Sequence, residues 1–213
     1  MISKEYKAVI FDLDGVILST DECHYEAWKM LADEEGIYFD RDINQRLRGV
    51  SRMESLEIVL ERAEKTYTDD EKLEMATRKN GYYVKKIKNL DKSAILDGAI
   101  DFINMAKSAG LKVAIGSSSK NTMAILKQVE CEDIFDAIAD GNDIKNSKPA
   151  PDVFLVAAEK MCIAPSDCMV VEDAEAGVDA AIAAGMDVLA VGYASSYKKA
   201  TYSAKSLGEL IRQ

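Results

Sequence analysis

KAVIFDLDG, residues 7–15, is an apolar run that breaks into two aspartates at alternate positions and ends on glycine. Val9, Ile10 and Phe11 are too apolar for a solvated loop, so Lys7–Asp12 is predicted as a short buried strand. In extended backbone alternate side chains share a face, which aims Asp12 and Asp14 one way and Leu13 the other. Two carboxylates held together repel unless a cation lies between them. The pair suits a divalent metal and a reacting phosphate. Taken alone, the segment equally suits an acidic turn after a strand.

Working outward, two further segments have the same buried-strand character, Leu111–Gly116 (LKVAIG) and Cys168–Glu172 (CMVVE), with weaker ones at Ala137–Asp140 and Asp187–Val191. Helical patterns over Asp97–Ala109, Asn121–Val129, Asp152–Met161 and Ala176–Ala184 separate them, two stopped by Gly110 and Gly185. This alternation predicts an α/β fold: a Rossmann-like core whose parallel sheet is flanked by helices, with its site at the strands' carboxyl ends. From Asp21 to about Leu90 the alternation stops and the pattern is helical throughout. His24, Ala27, Trp28 and Leu31 fall at helical spacing. Ser51–Glu54 and Thr68–Glu71 are capping boxes, in which hydroxyl and carboxylate satisfy opposing free amides at a helix start. Leu56, Val59, Leu60 and Ala63, then Leu73, Ala76, Tyr83, Val84 and Ile87, are the expected inward positions. The expectation is an inserted all-helical cap over residues 17–91, joined through Gly15–Thr20 and Asp91–Ile95 to a core formed by 1–16 and 92–213.

The 213 residues carry a formal charge of −10, with 48% hydrophobic and 30% charged residues. An ordinary globular protein is indicated, and nucleic acid and anionic membranes are poor partners for that charge. Phosphate must be drawn by local cations. No apolar run approaches the roughly 20 residues of a membrane span. Cys23, Cys131, Cys162 and Cys168 form no CxxC pair, which predicts reduced thiols and a cytoplasmic setting. A single histidine rules out a His-rich metal site. Nothing signals oligomerisation, so a monomer is expected.

Four signals then fall at the ends of successive strands. Asp12 and Asp14 come first, and Ser117-Ser-Ser-Lys-Asn121 follows LKVAIG, where hydroxyls and exposed amides suit phosphate oxygens. Lys148 lies in SKPAPD, stiffened by Pro149 and Pro151. Glu172 and Asp173 follow CMVV. Each has an ordinary structural explanation: a turn, a solvated lysine, acids at a helix start. Four at equivalent positions point to one site.

DLDGV at 12–16, the Ser-rich loop, SKPAPD at 147–152 and VVEDAEAG at 170–177 resemble the four motifs of the haloacid dehalogenase-like phosphotransferases. The cap residues Thr20-Asp-Glu-Cys-His24, Trp28, Arg48-Gly-Val-Ser-Arg52 and Arg78-Lys-Asn80 resemble its β-phosphoglucomutase subgroup. Ser19 departs from the acid often found there. The resemblance implies that Asp12 is a nucleophile and Asp14 a general acid/base. It implies Mg²⁺ held by Asp12, the Asp14 carbonyl, Glu172 and Asp173, and a transferring phosphate held by Ser117 and Lys148 beside Ser119, Lys120 and Asn121. Arg52 would grip the distal phosphate, with Thr20, His24, Trp28, Gly49, Val50, Ser51 and Lys79 around the sugar. By their residues alone, His24 and Trp28 read as packing and Lys79 as part of a solvated charged face.

The implied activity is interconversion of β-glucose 1-phosphate and glucose 6-phosphate, primed by β-glucose 1,6-bisphosphate. A phosphatase on a small sugar phosphate is the rival within the superfamily. A non-catalytic sugar-phosphate sensor is the third reading, disfavoured by the intact aspartate pair.

Overall fold

The computed structural model of the protein describes residues 5–212. Six parallel strands form one sheet in the order β3-β2-β1-β4-β5-β6. They are β1 (Ala8–Phe11), β2 (Lys112–Gly116), β3 (Ala137–Ala139), β4 (Cys168–Glu172), β5 (Asp187–Ala190) and β6 (Tyr202–Ser203). Alternation divides them between two apolar layers. Val9, Phe11, Val113, Ile115, Met169 and Val171 pack on α5 (Ala99–Ser108) and α6 (Thr122–Gln128). Ala8, Ile10, Ala114, Val170 and Val188 pack on α7 (Asp152–Met161) and α8 (Glu175–Ala183). Strands buried on both faces read as continuous apolar runs, which is why they stood out in the sequence. β1 is central, with β2 on one side and β4 on the other. Its carboxyl end is therefore the topological switch point where such sheets bind ligands.

The expected cap is present as α1 (Asp21–Glu35), α2 (Arg41–Gln45), α3 (Arg52–Leu60) and α4 (Asp69–Ile87). Trp28, Leu31, Leu56, Val59, Met75 and Ala76 form its own apolar cluster. Both predicted capping boxes close: Ser51 N donates to Glu54 at 2.8 Å and Thr68 N to Glu71 at 2.7 Å. The cap's two connections run side by side, with Ser19 N donating to Ala94 O at 3.0 Å and Leu96 N to Ile17 O at 2.9 Å.

One inward expectation is corrected. Leu73 is 61% exposed. The stripe that α4 buries is Met75, Lys79, Tyr83 and Ile87 at i, i+4 spacing, and Leu73 stands roughly 200° around the helix from Met75. Three elements had no sequence prediction of their own: the short α2, the two-residue β6 and α9 (Leu207–Ile211). All are too short to carry a readable period. Among the described residues no helix is long and apolar enough to cross a membrane.

Candidate active site

At the end of β1 the Asp12 amide donates to Val171 O at 3.0 Å, which ties the nucleophile candidate to the neighbouring strand β4. Lys148 reaches in from the loop before α7. Its Nζ lies 2.5 Å from both Asp12 Oδ1 and Glu172 Oε1, and the side chain is 3% exposed. The Phe154 ring, 4.7 Å away, floors the ammonium. Burial alone would lower the Lys148 pKa; the Asp12 and Glu172 charges outweigh it and hold it above the ordinary value. Lys148 is therefore a fixed positive charge beside the nucleophile candidate Asp12.

Asp12, Glu172 and Asp173 offer carboxylate oxygens that all lie within 4.8 Å of one another, and all three residues are buried. Three carboxylates face one ammonium. Burial, followed by Glu172 and Asp12, pushes the Asp173 carboxyl up to about 8, and burial also raises Glu172. A hard divalent cation with oxygen ligands suits that donor set, because it supplies the missing positive charge. Two glycines make the room. A Cβ on Gly177 would lie 1.9 Å from Glu172 Oε1, and one on Gly15, at φ 79°, 2.1 Å from Asp173 Oδ2.

After β2 the Ser-rich loop folds on its own hydroxyls. Ser117 Oγ accepts from Ser119 N and Ser119 Oγ from Asn121 N, both at 3.2 Å. Ser118 Oγ accepts from Lys148 N at 3.5 Å, which joins this loop to the lysine loop. Ser117, Ser119, Lys120 and Asn121 all line the same cavity of about 770 Å³ as the acidic cluster.

Asp14 also lines the cavity, and its Oδ1 accepts the Thr20 hydroxyl, which in turn accepts from Tyr83 OH at 3.2 Å. Burial pushes the Asp14 carboxyl up to about 7. Asp12 and Asp21 add to the rise and the Thr20 bond opposes it. A carboxyl near neutrality can both give and take a proton.

The opposite wall comes from the cap. Lys79 Nζ sits 2.9 Å from His24 Nδ1, with the Trp28 and Tyr83 ring centroids 4.7 and 4.9 Å away. Burial, helped by Arg52, brings the Lys79 ammonium down to about 7. Burial, then Lys79, Arg52 and Arg48, hold His24 well below its usual value, so it faces Lys79 as a neutral imidazole. Arg52 lines the cavity without a hydrogen-bonded or ion-paired carboxylate among the described residues. Gly49, Val50 and Ser51 line it too, the Ser51 hydroxyl capping α3.

Thus the cavity brings together every sequence-predicted site residue except Thr20, which is 1% exposed and stands behind Asp14. Lys79 leaves the solvated face its charged neighbours suggested, because α4 turns it inward. Sequence reasoning gave no role to Arg48, Tyr83 or Gly177. Nor did it assign one to Asn80, whose carbonyl accepts from Asn121 Nδ2 at 3.0 Å. Asn80 and Arg48 lay inside quoted motifs; for Tyr83 the only local signal was its place on the buried stripe.

A family model for haloacid dehalogenase-like hydrolases matches residues 6–185. The chain is 45% identical over 188 residues to a β-phosphoglucomutase of Bacillus subtilis, covering 87% of this chain and 83% of that protein. A phosphorylated carbohydrates phosphatase of Thermotoga maritima is 30% identical over 184 residues, covering 85% and 82%. The crystal structure of a β-phosphoglucomutase from Clostridium difficile superposes with a TM-score of 0.89 at 40% identity, covering 96% of this chain and 93% of that one. The shared fold, the clustered acids and these likenesses agree on sugar-phosphate phosphohydrolase or mutase chemistry. The chain belongs to the haloacid dehalogenase-like hydrolase superfamily and is closely related to its β-phosphoglucomutase members.

Proposed function

We propose that this protein is a β-phosphoglucomutase, interconverting β-glucose 1-phosphate and glucose 6-phosphate through a phosphorylated Asp12. The observation that carries the mutase reading over a phosphatase is Arg52: a half-buried guanidinium in the cavity wall with no carboxylate partner among the described residues. An unneutralised, half-buried arginine in a cleft wall favours an anion, and its planar fork suits a phosphate. A bisphosphate that reacts at either end needs one anchor at the core and a second at the cap.

Asp12, the Asp14 carbonyl, Glu172 and Asp173 are the residues that would hold Mg²⁺. When bound, the ion offsets the negative charge of carboxylate and phosphate. The chain's own residues do the rest. From phosphorylated Asp12, Asp14 takes the proton of the sugar 6-hydroxyl as that oxygen attacks phosphorus and the phosphorus–Asp12 bond breaks. The product is β-glucose 1,6-bisphosphate, which also serves as the priming species. After it turns end for end, Asp12 attacks the 1-phosphate, the bond from phosphorus to the sugar oxygen breaks, and Asp14 returns its proton to that oxygen. Glucose 6-phosphate leaves and the phosphoenzyme is restored. Lys148 and the Ser117 loop hold the transferring phosphoryl oxygens throughout. Thr20, backed by Tyr83, keeps Asp14 oriented. His24, Trp28, Lys79, Gly49, Val50 and Ser51 surround the sugar, and the cap over 17–91 excludes water.

The phosphatase relative at 30% identity favours a second reading, in which water accepts the phosphoryl group from the same Asp12. One assay separates the two. β-Glucose 1-phosphate, Mg²⁺ and a trace of the bisphosphate are supplied, and glucose 6-phosphate is compared with free phosphate. Glucose 6-phosphate in large excess is the expected result; phosphate as the main product rejects the mutase.

A further inference from the structure

Arg48 has no part in the chemistry above, yet it is where the cap meets the core beside the acidic cluster. Its side chain is 20% exposed. Nη2 donates to Asp21 Oδ2 at 2.5 Å and to Tyr193 OH at 3.2 Å, and Cζ lies 4.0 Å over the Tyr193 ring. Nη1 is 4.0 Å from Asp173 Oδ2. Asp21 opens α1 on the cap, whereas Tyr193 follows β5 on the core. A planar guanidinium can stack on a ring and fork to a carboxylate at once, which an ammonium cannot.

The backbone carries this contact toward the cavity. Gly49, at φ 72°, lies so close to the core that a Cβ there would sit 2.9 Å from the Ala174 Cβ. Ser51 then caps α3, whose first residue is Arg52. Three of the residues from 48 to 52 are thus pinned in succession, and Arg52 stands at the end of the series. Tyr193 is 64% exposed, and it meets Arg48 through both its hydroxyl and its ring face.

We propose that Arg48, clamped between Asp21 of the cap and Tyr193 of the core, is a positioning residue that holds the 48–52 loop so that Arg52 meets the distal phosphate. The link to phosphate rests on the role proposed for Arg52; the clamp itself does not.

The test uses the full chain with Tyr193→Ala and Tyr193→Phe, both at an exposed position that folding tolerates. Hydrogen exchange of amides 47–52 reads the clamp, and steady-state kinetics read its consequence. Tyr193→Ala should exchange about fivefold faster over 47–52 and raise KM for β-glucose 1-phosphate about fivefold. Its turnover of acetyl phosphate, which has no distal phosphate, should match the parent. Tyr193→Phe keeps the ring and should restore most of both effects. Parental exchange in Tyr193→Ala overturns the clamp. Faster exchange with an unchanged KM overturns its coupling to Arg52. Should Arg52→Ala itself leave KM unchanged, the fault lies in the role of Arg52, and exchange alone then decides the clamp.

Discussion

On the core wall of the cleft Lys148 lies 2.5 Å from two carboxylates, whereas on the cap wall Arg52 and Lys79 face the same space with no ion-paired carboxylate among the described residues. The core charges sit on strand ends and short loops, tied to neighbours by backbone hydrogen bonds. The cap charges sit on helices, Lys79 beside the Trp28 and Tyr83 rings and Arg52 in the first turn of α3. The core wall fixes its one ammonium against carboxylates held in excess, which suits it to hold a cation and a reacting group in one geometry. The cap wall is left electrically incomplete, which suits it to receive an anion that comes and goes. A single cleft thus joins a fixed reaction centre to a surface completed only by its ligand.

The largest expected effect is on the core wall. Asp12→Asn should lower turnover by about four orders of magnitude or more, with no phosphoenzyme detected by intact mass after exposure to acetyl phosphate. Parental turnover would remove the basis for every other role. Arg52→Ala should break only the cap wall, raising KM for β-glucose 1-phosphate by about a hundredfold, the scale of a charged hydrogen bond. Acetyl phosphate turnover should stay at the parental level. Equal losses on both substrates would mean that the two walls are not separable.

Gly177→Ala sharpens the core side. Its Cβ would lie 1.9 Å from Glu172 Oε1, so the carboxylate must move. Alanine is the better helix former, and any loss must come from the site. Magnesium dependence of activity should shift to concentrations about tenfold higher or more.

Lys79→Met sharpens the cap side through pH. Burial first, with help from Arg52, brings the folded-state ammonium from 10.5 down to about 7. Between those values the unfolded chain binds more protons, so this residue makes folding more favourable as pH rises through the window and costs stability below it. The variant should melt about five degrees above the parent at pH 7, with the gap closing toward pH 10. A gap independent of pH would refute the buried-ammonium reading. The smallest effect belongs to Leu73→Lys, which should change stability by no more than about 0.5 kcal/mol because the side chain is 61% exposed.

What could be read in advance followed from how local the physics is. Val9–Phe11 and Met169–Val171 are buried on both sheet faces, so the strands appear as apolar runs, and the acids that end them are adjacent in the chain. The capping boxes at Ser51 and Thr68 are self-contained within four residues, and both formed. The short α2, β6 and α9 carry too few residues for a period, and Leu73 was misplaced because the buried stripe of α4 includes Lys79, which hydropathy counts as outward.

By itself the sequence determined an alternating α/β core, a helical insertion, and four chemical signals at strand ends, because periodicity and strand termination are local. Only the tertiary structure decided that Lys79 turns inward to His24, that Thr20 stands behind Asp14, that Gly177 clears space for Glu172, and that Arg48 bridges Asp21 to Tyr193. Those pairings join residues 5 to 145 positions apart, and packing selects them. No chain-local preference encodes which side chain will be opposite.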